Sequence, residues 1–208
     1  MGKIIVTGSE WVYRVVKANL VWVLLFLLGG GILGFFPATI ALARLVRMWL
    51  NGNEKEPIWK VMWSEYKDNF KLGSQLTAFY LPMFLIITVN FRLAVQLHNF
   101  YFMIISYMLL FAFLFWVASI CYLFPVIANY EGTCFSYIKQ SISFAVLDIK
   151  IMILQLFGLV LLWYLNLEVS SLIIFGTAVL WQLYTTQCCR YVFRKAEKRV
   201  GSRQLNLQ

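Results

Sequence analysis

Apolar residues in this chain come in blocks, separated by short clusters of charged, turn-forming and aromatic residues. The blocks fall at about 15–33, 35–50, 72–91, 101–124, 151–165 and 170–191. Their lengths centre on the roughly 20 residues that a helix needs to cross a hydrocarbon core of about 30 Å. No water is available inside lipid to satisfy a free amide, so each block has to pair its backbone internally as a helix. The pattern predicts an all-α fold, a polytopic transmembrane helical bundle with about six membrane helices, or five if 15–43 is one span. Residues 1–208 are expected to form a single integral membrane domain that ends in a basic tail over 192–208.

The polar clusters carry the next layer of information. Between 44 and 71 lie Arg44, Arg47, Lys55, Lys60, Lys67 and Lys71, set against Glu54, Glu56, Glu65 and Asp68. Asn51-Gly52-Asn53 has turn chemistry, and Pro57 suits the first position of a new helix. Beyond it Trp59, Met62, Trp63, Tyr66 and Phe70 recur at helical spacing, with Lys60, Lys67, Asp68 and Lys71 in the complement. This predicts an interfacial amphipathic helix near 57–71 with its aromatic face in the headgroups. A packing face against another subunit would have the same periodicity. The segment 129–150 is expected to form a second interfacial stretch, and 151–191 a terminal hairpin.

The stretch Gly29-Gly30-Gly31, followed by Gly34 and Pro37, decides the topology. It either interrupts one long span or turns the chain between two. Lys and Arg collect on the cytoplasmic side of membrane proteins. The loop 44–71 holds six of them, the tail from Arg190 six and the segment 129–150 two; Lys3, Arg14, Lys17 and Arg92 remain. One span over 15–43 puts 14 inside and 4 outside, whereas a turn puts 17 inside and 1 outside. The turn satisfies the rule better and places both termini in the cytoplasm. The second helix is then short: 16 residues over 35–50 reach only ~24 Å at about 1.5 Å per residue. It is expected to span while lined by neighbours or to be re-entrant, with Pro37 near its first turn. Arg44 and Arg47, on one face of it, would reach back to the headgroups. Ala41-Leu42-Ala43 has the form of a signal-cleavage site, but cleavage there would leave the basic segment outside.

Composition agrees with the membrane assignment. Of 208 residues 62% are hydrophobic and 13% charged, where a soluble domain has about 25% charged; mean hydropathy is +0.76. The net charge of +9 flanks apolar blocks and serves orientation, with no nucleic-acid fold to accompany it. Four cysteines without CxxC spacing and one histidine, His98, offer no metal site. No GxSxG, HExxH or paired-acid motif occurs, and no acidic pair lies in the predicted hydrocarbon core. No catalytic residue, metal or cofactor is therefore assigned, and the chain is expected not to be an enzyme. Asn90, Gln155, Gln182 and Gln187 are expected to hydrogen-bond between helices. Cys188 and Cys189 are open to lipidation or are two small apolar fillers.

Arg44 and Arg47 are the most informative polar pair, because charge near a membrane core is costly. They are either cytoplasmic anchors or a basic patch for an anionic headgroup or ligand, joined by Lys67 and Lys71. The glycines and Pro37 form either a structural turn or the edge of a solute path.

Several of these residues carry a resemblance. Gly34-Phe35-Phe36-Pro37-Ala38-Thr39-Ile40-Ala41-Leu42, Arg47-Met48-Trp49 with Gly52 and Pro57, and Trp63-x-x-Tyr66-Lys67-x-Asn69-Phe70 resemble the bacterial YesL family. Tyr122-Leu123-Phe124-Pro125 and Tyr137-Ile138-Lys139-Gln140-Ser141 are similar to its second half. The resemblance implies a small multi-pass protein of a bacterial plasma membrane, without an established activity. Such proteins are often encoded near carbohydrate-uptake, polysaccharide-degradation and sensor-kinase genes. It thus implies a non-enzymatic accessory to carbohydrate uptake or its sensing, with a sugar transporter or sensor kinase as partner beside the lipid bilayer. The expected partner or lipid contact is Arg44, Arg47, Trp59, Trp63, Tyr66, Lys67 and Lys71. A small solute transporter or channel subunit, with its path near 29–37, is the alternative. The sequence leaves the oligomeric state open.

Overall fold

The computed structural model of the protein describes residues 2–53, 56–96, 100–169 and 175–205, with side chains described for 9–53, 56–96, 102, 104–169 and 175–193. The side chains of Lys3, Lys55 and the tail from Arg194 onward, which enter the charge count, and that of His98 lie outside the described ones. Among the described residues the chain is built of α-helices without a strand: α1 (Gly2–Leu28), α2 (Ile32–Leu50), α3 (Ile58–Asp68), α4 (Phe70–Gln96), α5 (Phe100–Asn129), α6 (Cys134–Leu147), α7 (Ile149–Glu168) and α8 (Thr177–Leu205). Five stretches, Ser9–Leu28, Ile32–Leu50, Phe70–Gln96, Ile104–Asn129 and Ile149–Glu168, are long and apolar enough to cross a membrane. The chain is a multi-pass membrane protein. The sixth expected span, 170–191, begins on residues 170–174, outside the described residues, and runs on into α8.

The long-span reading of 15–43 gives way to a turn. After α1 the backbone adopts φ 71° at Gly30 and 74° at Gly31, a region that side chains with a Cβ avoid. The amide of Gly31 donates to Phe26 O and that of Gly30 to Leu27 O, both at 3.0 Å. These are the paired bonds of a Schellman end, which satisfies carbonyls the helix leaves open. α1 and α2 then run antiparallel: Trp11 meets Trp49 edge to face at 5.9 Å, and Trp22 Nε1 donates to Thr39 Oγ1 at 3.2 Å. α2 starts at Ile32 rather than near residue 35, because Phe35 N already bonds Gly31 O at 3.0 Å. Pro37 consequently sits inside the helix and not in its first turn.

α2 is the central helix. Two thirds of its window (67%) is buried, against 11–22% for the other candidate spans. Small residues make this possible, since Gly34, Ala38, Ala41 and Ala43 let neighbouring backbones close in. On one side Ala38, Ala41, Leu42 and Leu45 join Ala18, Val21 and Leu25 of α1 and Met62 of α3 in one core. On the other, Phe36, Ile40 and Ala43 join Leu76 and Tyr80 of α4, Tyr122 and Ile127 of α5, and Ile138 of α6 in a second.

The remaining helices pair antiparallel around it. Tyr80 of α4 shares a 2.8 Å hydrogen bond with Ser119 of α5, and Ser119 lies 3.2 Å from Ser141 of α6. α5 continues past Pro125, its expected end, to Asn129, whose Nδ2 donates to Pro125 O at 2.8 Å. The inward face of α6, Tyr137, Ile138, Ser141 and Ala145, packs on α5 instead of facing away from the bundle. α7 and α8 form the terminal hairpin through Thr177–Asn166 at 2.7 Å and Gln155–Cys189 at 3.3 Å. Of the polar residues expected to bridge helices, Gln155 does so. Gln182 bonds Thr186 and Asn90 bonds Ile86 O within their own helices.

Candidate functional site

A polar concavity lies where α2 and α5 end, beside α3. It has a volume of about 500 Å³ and is lined by Arg44, Arg47, Asn51, Glu65, Tyr130 and Glu131, with apolar Met48 and Ile127 among them. Both arginines come from α2 because they are three residues apart, one turn along the same face. Glu65 comes from α3, which runs back along α2 after the turn at 51–53.

Each arginine is already engaged. Arg44 Nη1 donates to Glu65 Oε2 at 2.6 Å, and the two side chains keep 30% and 27% of their surface exposed. Asn69 Nδ2 holds the same carboxylate oxygen at 3.1 Å and the Glu65 carbonyl at 2.8 Å. Arg47 donates to the backbone carbonyl of Ala128 in the last turn of α5. Arg190 of α8 donates to Leu50 O at 3.2 Å and to Asn51 Oδ1 at 2.9 Å, at the end of α2. Cations at helix C-termini meet the negative end of the helix dipole and its open carbonyls. The positive charge here is matched locally by Glu65, Glu131 and two helix ends, so the cavity is charge-balanced and not simply basic.

The other sequence-flagged residues part company. Ile58, Met62 and Tyr66 form the buried face of α3. The Tyr66 hydroxyl lies against Gly29 at the turn, where a Cβ would stand 2.6 Å from it. Burial pushes the Tyr66 phenol above its ordinary value. Trp59 and Trp63 stack on the flank with centroids 5.7 Å apart, and Lys67 Nζ sits 4.7 Å over the Trp63 ring. Lys71, exposed, is in the first turn of α4. The set thus divides into a cavity pair (Arg44, Arg47), an outer flank (Trp59, Lys67 and Lys71 exposed, Trp63 half-buried against the core) and a core contact (Tyr66).

Sequence reasoning missed Glu65 as the partner of Arg44, Asn69 as the residue that holds Glu65, and Asn51, Glu131 and Arg190 as surroundings of the pair. An acid placed opposite a basic span end was the available signal for Glu65. Nothing local ties Arg190 to Asn51 across 139 positions.

Beside the break at 29–37 the protein offers a different surface. A cleft of about 300 Å³ is lined by Phe26, Ile32, Phe35, Phe36, Tyr80 and Trp116 among others, almost wholly apolar. Among the described residues no cluster of three or more His, Cys, Asp or Glu is placed to share a metal ion. Cys189 is buried and accepts from Gln155, whereas Cys188 is half-buried.

Comparison with known proteins bears on the same region. The model of the family described as "Protein of unknown function, DUF624" matches residues 15–91, which takes in the α1–α2 hairpin, α3 and most of α4. The chain is 31% identical to Uncharacterized protein YteU of Bacillus subtilis (strain 168), over 75% of this chain and 70% of that protein. It is 28% identical to Uncharacterized protein YesV of the same organism, over 66% of each. It is likewise 28% identical to Uncharacterized protein YesL, over 58% of this chain and 56% of that one. No solved structure matches the chain.

Proposed function

The chain belongs to the YesL-like DUF624 family, and on that premise we propose that it is a non-enzymatic accessory protein of a bacterial plasma membrane. It docks a membrane-bound partner through the outer flank of α3, with both of its own termini in the cytoplasm. The observation that carries this reading is the division of α3 into two faces. Ile58, Met62 and Tyr66 anchor it to the α1–α2 hairpin, while Trp59, 45% exposed, is held outside by stacking on the half-buried Trp63. Tryptophan presented on a rigid element beside a cation is the residue type that dominates docking energy, and it also suits the membrane–water boundary. The partner is a sugar permease or a sensor kinase, a choice that rests on the gene neighbourhoods the family resemblance implies.

The test is co-purification from native membranes in mild detergent. Wild type should recover a permease or kinase that a Trp59→Ala/Trp63→Ala variant leaves behind, with the variant's helicity unchanged. Identical background proteins in both samples remove the reading. A solute path beside the break at 29–37 has less in its favour, since a polar solute in the apolar cleft would lose hydration without replacement.

A further inference from the structure

We propose that the cavity between the C-terminal ends of α2 and α5 binds a zwitterionic headgroup carrying a phosphate and a primary ammonium, that of phosphatidylethanolamine. This stands apart from partner docking, which uses the outer flank of α3.

The charges select the ligand class. Two guanidinium groups, Arg44 and Arg47, and two carboxylates, Glu65 and Glu131, line one cavity. A lone anion would meet both carboxylates and the carbonyl ends of two helices, and a lone cation would meet both arginines. A zwitterion satisfies the two sets at once. Each guanidinium has five N–H donors in a planar fork. Arg44 uses Nη1 on Glu65 and Arg47 uses Nη1 on Ala128 O, which leaves donors on both for a bidentate phosphate contact. Glu65 binds Arg44 and Asn69 through Oε2, so its Oε1 and the exposed Glu131 carboxylate are available to accept from N–H. A primary ammonium offers three such donors, whereas the quaternary ammonium of phosphatidylcholine offers none.

Location selects the source. The cavity sits at Leu50 and Asn129, the ends of two helices long and apolar enough to cross a membrane, and a helix that crosses ends at the headgroups. Its volume of about 500 Å³ falls in the range of ligand pockets, roughly 300–1,000 Å³. Met48 and Ile127 give it an apolar wall toward which the glycerol end of the lipid can lie.

The full-length protein is reconstituted in nanodiscs holding equal parts of phosphatidylethanolamine, phosphatidylglycerol and phosphatidylcholine, then re-extracted, and the retained lipid is weighed by mass spectrometry. Phosphatidylethanolamine should be retained about threefold over each of the other two lipids, because its ammonium makes charge-assisted hydrogen bonds that their headgroups cannot. Glu131→Gln, a surface change, and the Arg44→Gln/Glu65→Gln pair, which leaves no lone charge, should each return the ratio to the input value. Free phosphoethanolamine should compete the enrichment away. Enrichment of phosphatidylglycerol means an anion site and overturns the proposal. Equal retention of all three lipids, or enrichment that survives both variants, overturns it too. If phosphoethanolamine raises the melting temperature while no lipid is enriched, the ligand is a free solute and the lipid assignment is wrong.

Discussion

The pyrrolidine ring of Pro37 in α2 rests directly on Gly73 in α4, so closely that a Cβ on Gly73 would stand 2.5 Å from Cδ and 2.7 Å from N of the proline. Proline has no N–H to give the helix ladder, and here its flat side becomes a docking surface instead. The missing side chain of Gly73 lets α4 close on α2, which brings Leu76 and Tyr80 into the core beside Ile40 and Phe36. Phe36 and Tyr80 then stack at 5.6 Å. Gly73→Ala must push the helices apart, and overpacking of this kind costs about 1–3 kcal/mol. Gly52→Ala is the control, since its φ is 83° with nothing within 4 Å. It should lose only the backbone term of a side chain in the left-handed region, about 1–2 kcal/mol. Unfolding in mixed micelles should rank the two in that order; equal losses would mean the α2–α4 contact is slack.

The pair Arg44–Glu65 should contribute modestly. At 2.6 Å the geometry is good, but 30% and 27% of the side chains are exposed, so water screens part of the attraction. Exposed pairs couple by about 0.2–1 kcal/mol. A double-mutant cycle with Arg44→Gln and Glu65→Gln should give a coupling within that range. Hydrogen exchange in α3 should speed up in either single variant, because Asn69 and Arg44 share the Glu65 carboxylate. A coupling near zero with unchanged exchange would show that α3 is held by Met62 and Tyr66 alone.

Block lengths made the membrane helices legible, and charge counting chose a turn over a single span. Both signals are long-range averages that survive local uncertainty. The fine structure was not legible in the same way. Pro37 looked like a helix start because proline suits a first turn, but the Schellman end at Gly30 and Gly31 lets the next helix begin at once, upstream of it. Tyr66 belonged to an aromatic series at helical spacing, and periodicity alone does not say which edge of such a series faces the protein. Its contact with Gly29 depends on α3 folding back along α2. The site showed the same limit: Arg44 and Arg47 stood out as costly charges, whereas Glu65, Ala128 and Arg190 became their surroundings only through tertiary packing.

Tyr66 supplies a pH signature for that packing. Burial raises its phenol above the ordinary value near 10, so the folded protein holds this proton more tightly than the unfolded chain. Stability from this group is complete below the unfolded value and is lost as pH climbs through the folded one. Unfolding midpoints should therefore be flat with respect to Tyr66 up to about pH 10 and fall above it. Tyr66→Phe should shallow that fall while leaving the neutral-pH midpoint close to wild type, since the ring still fills its place. If the two proteins share one alkaline profile, the phenol is solvated and α3 does not close over Gly29.

The turn itself can be placed by labelling. Ser9 and Leu33 sit at opposite ends of the antiparallel α1–α2 hairpin, and both are exposed, Leu33 by 52%. The charge distribution of 17 inside and 1 outside predicts the turn on the outer face. The contact of Tyr66 with Gly29, by contrast, brings the charged end of α3, with Lys67 and Asp68, to the level of the turn. Labelling decides between the two. In a background with Cys121, Cys134, Cys188 and Cys189 replaced, Leu33→Cys in intact cells should react with a membrane-impermeant maleimide. Ser9→Cys should react only after the cells are opened. Leu27, Leu28 and Ile32 around the turn are apolar and exposed, so a hairpin that stops within the hydrocarbon would leave Leu33→Cys unreactive from both sides. Reaction of both positions from the same side would contradict a spanning α1. It would return the chain to an odd number of crossings before α4, and with it the four basic residues Lys3, Arg14, Lys17 and Arg92 to the outside.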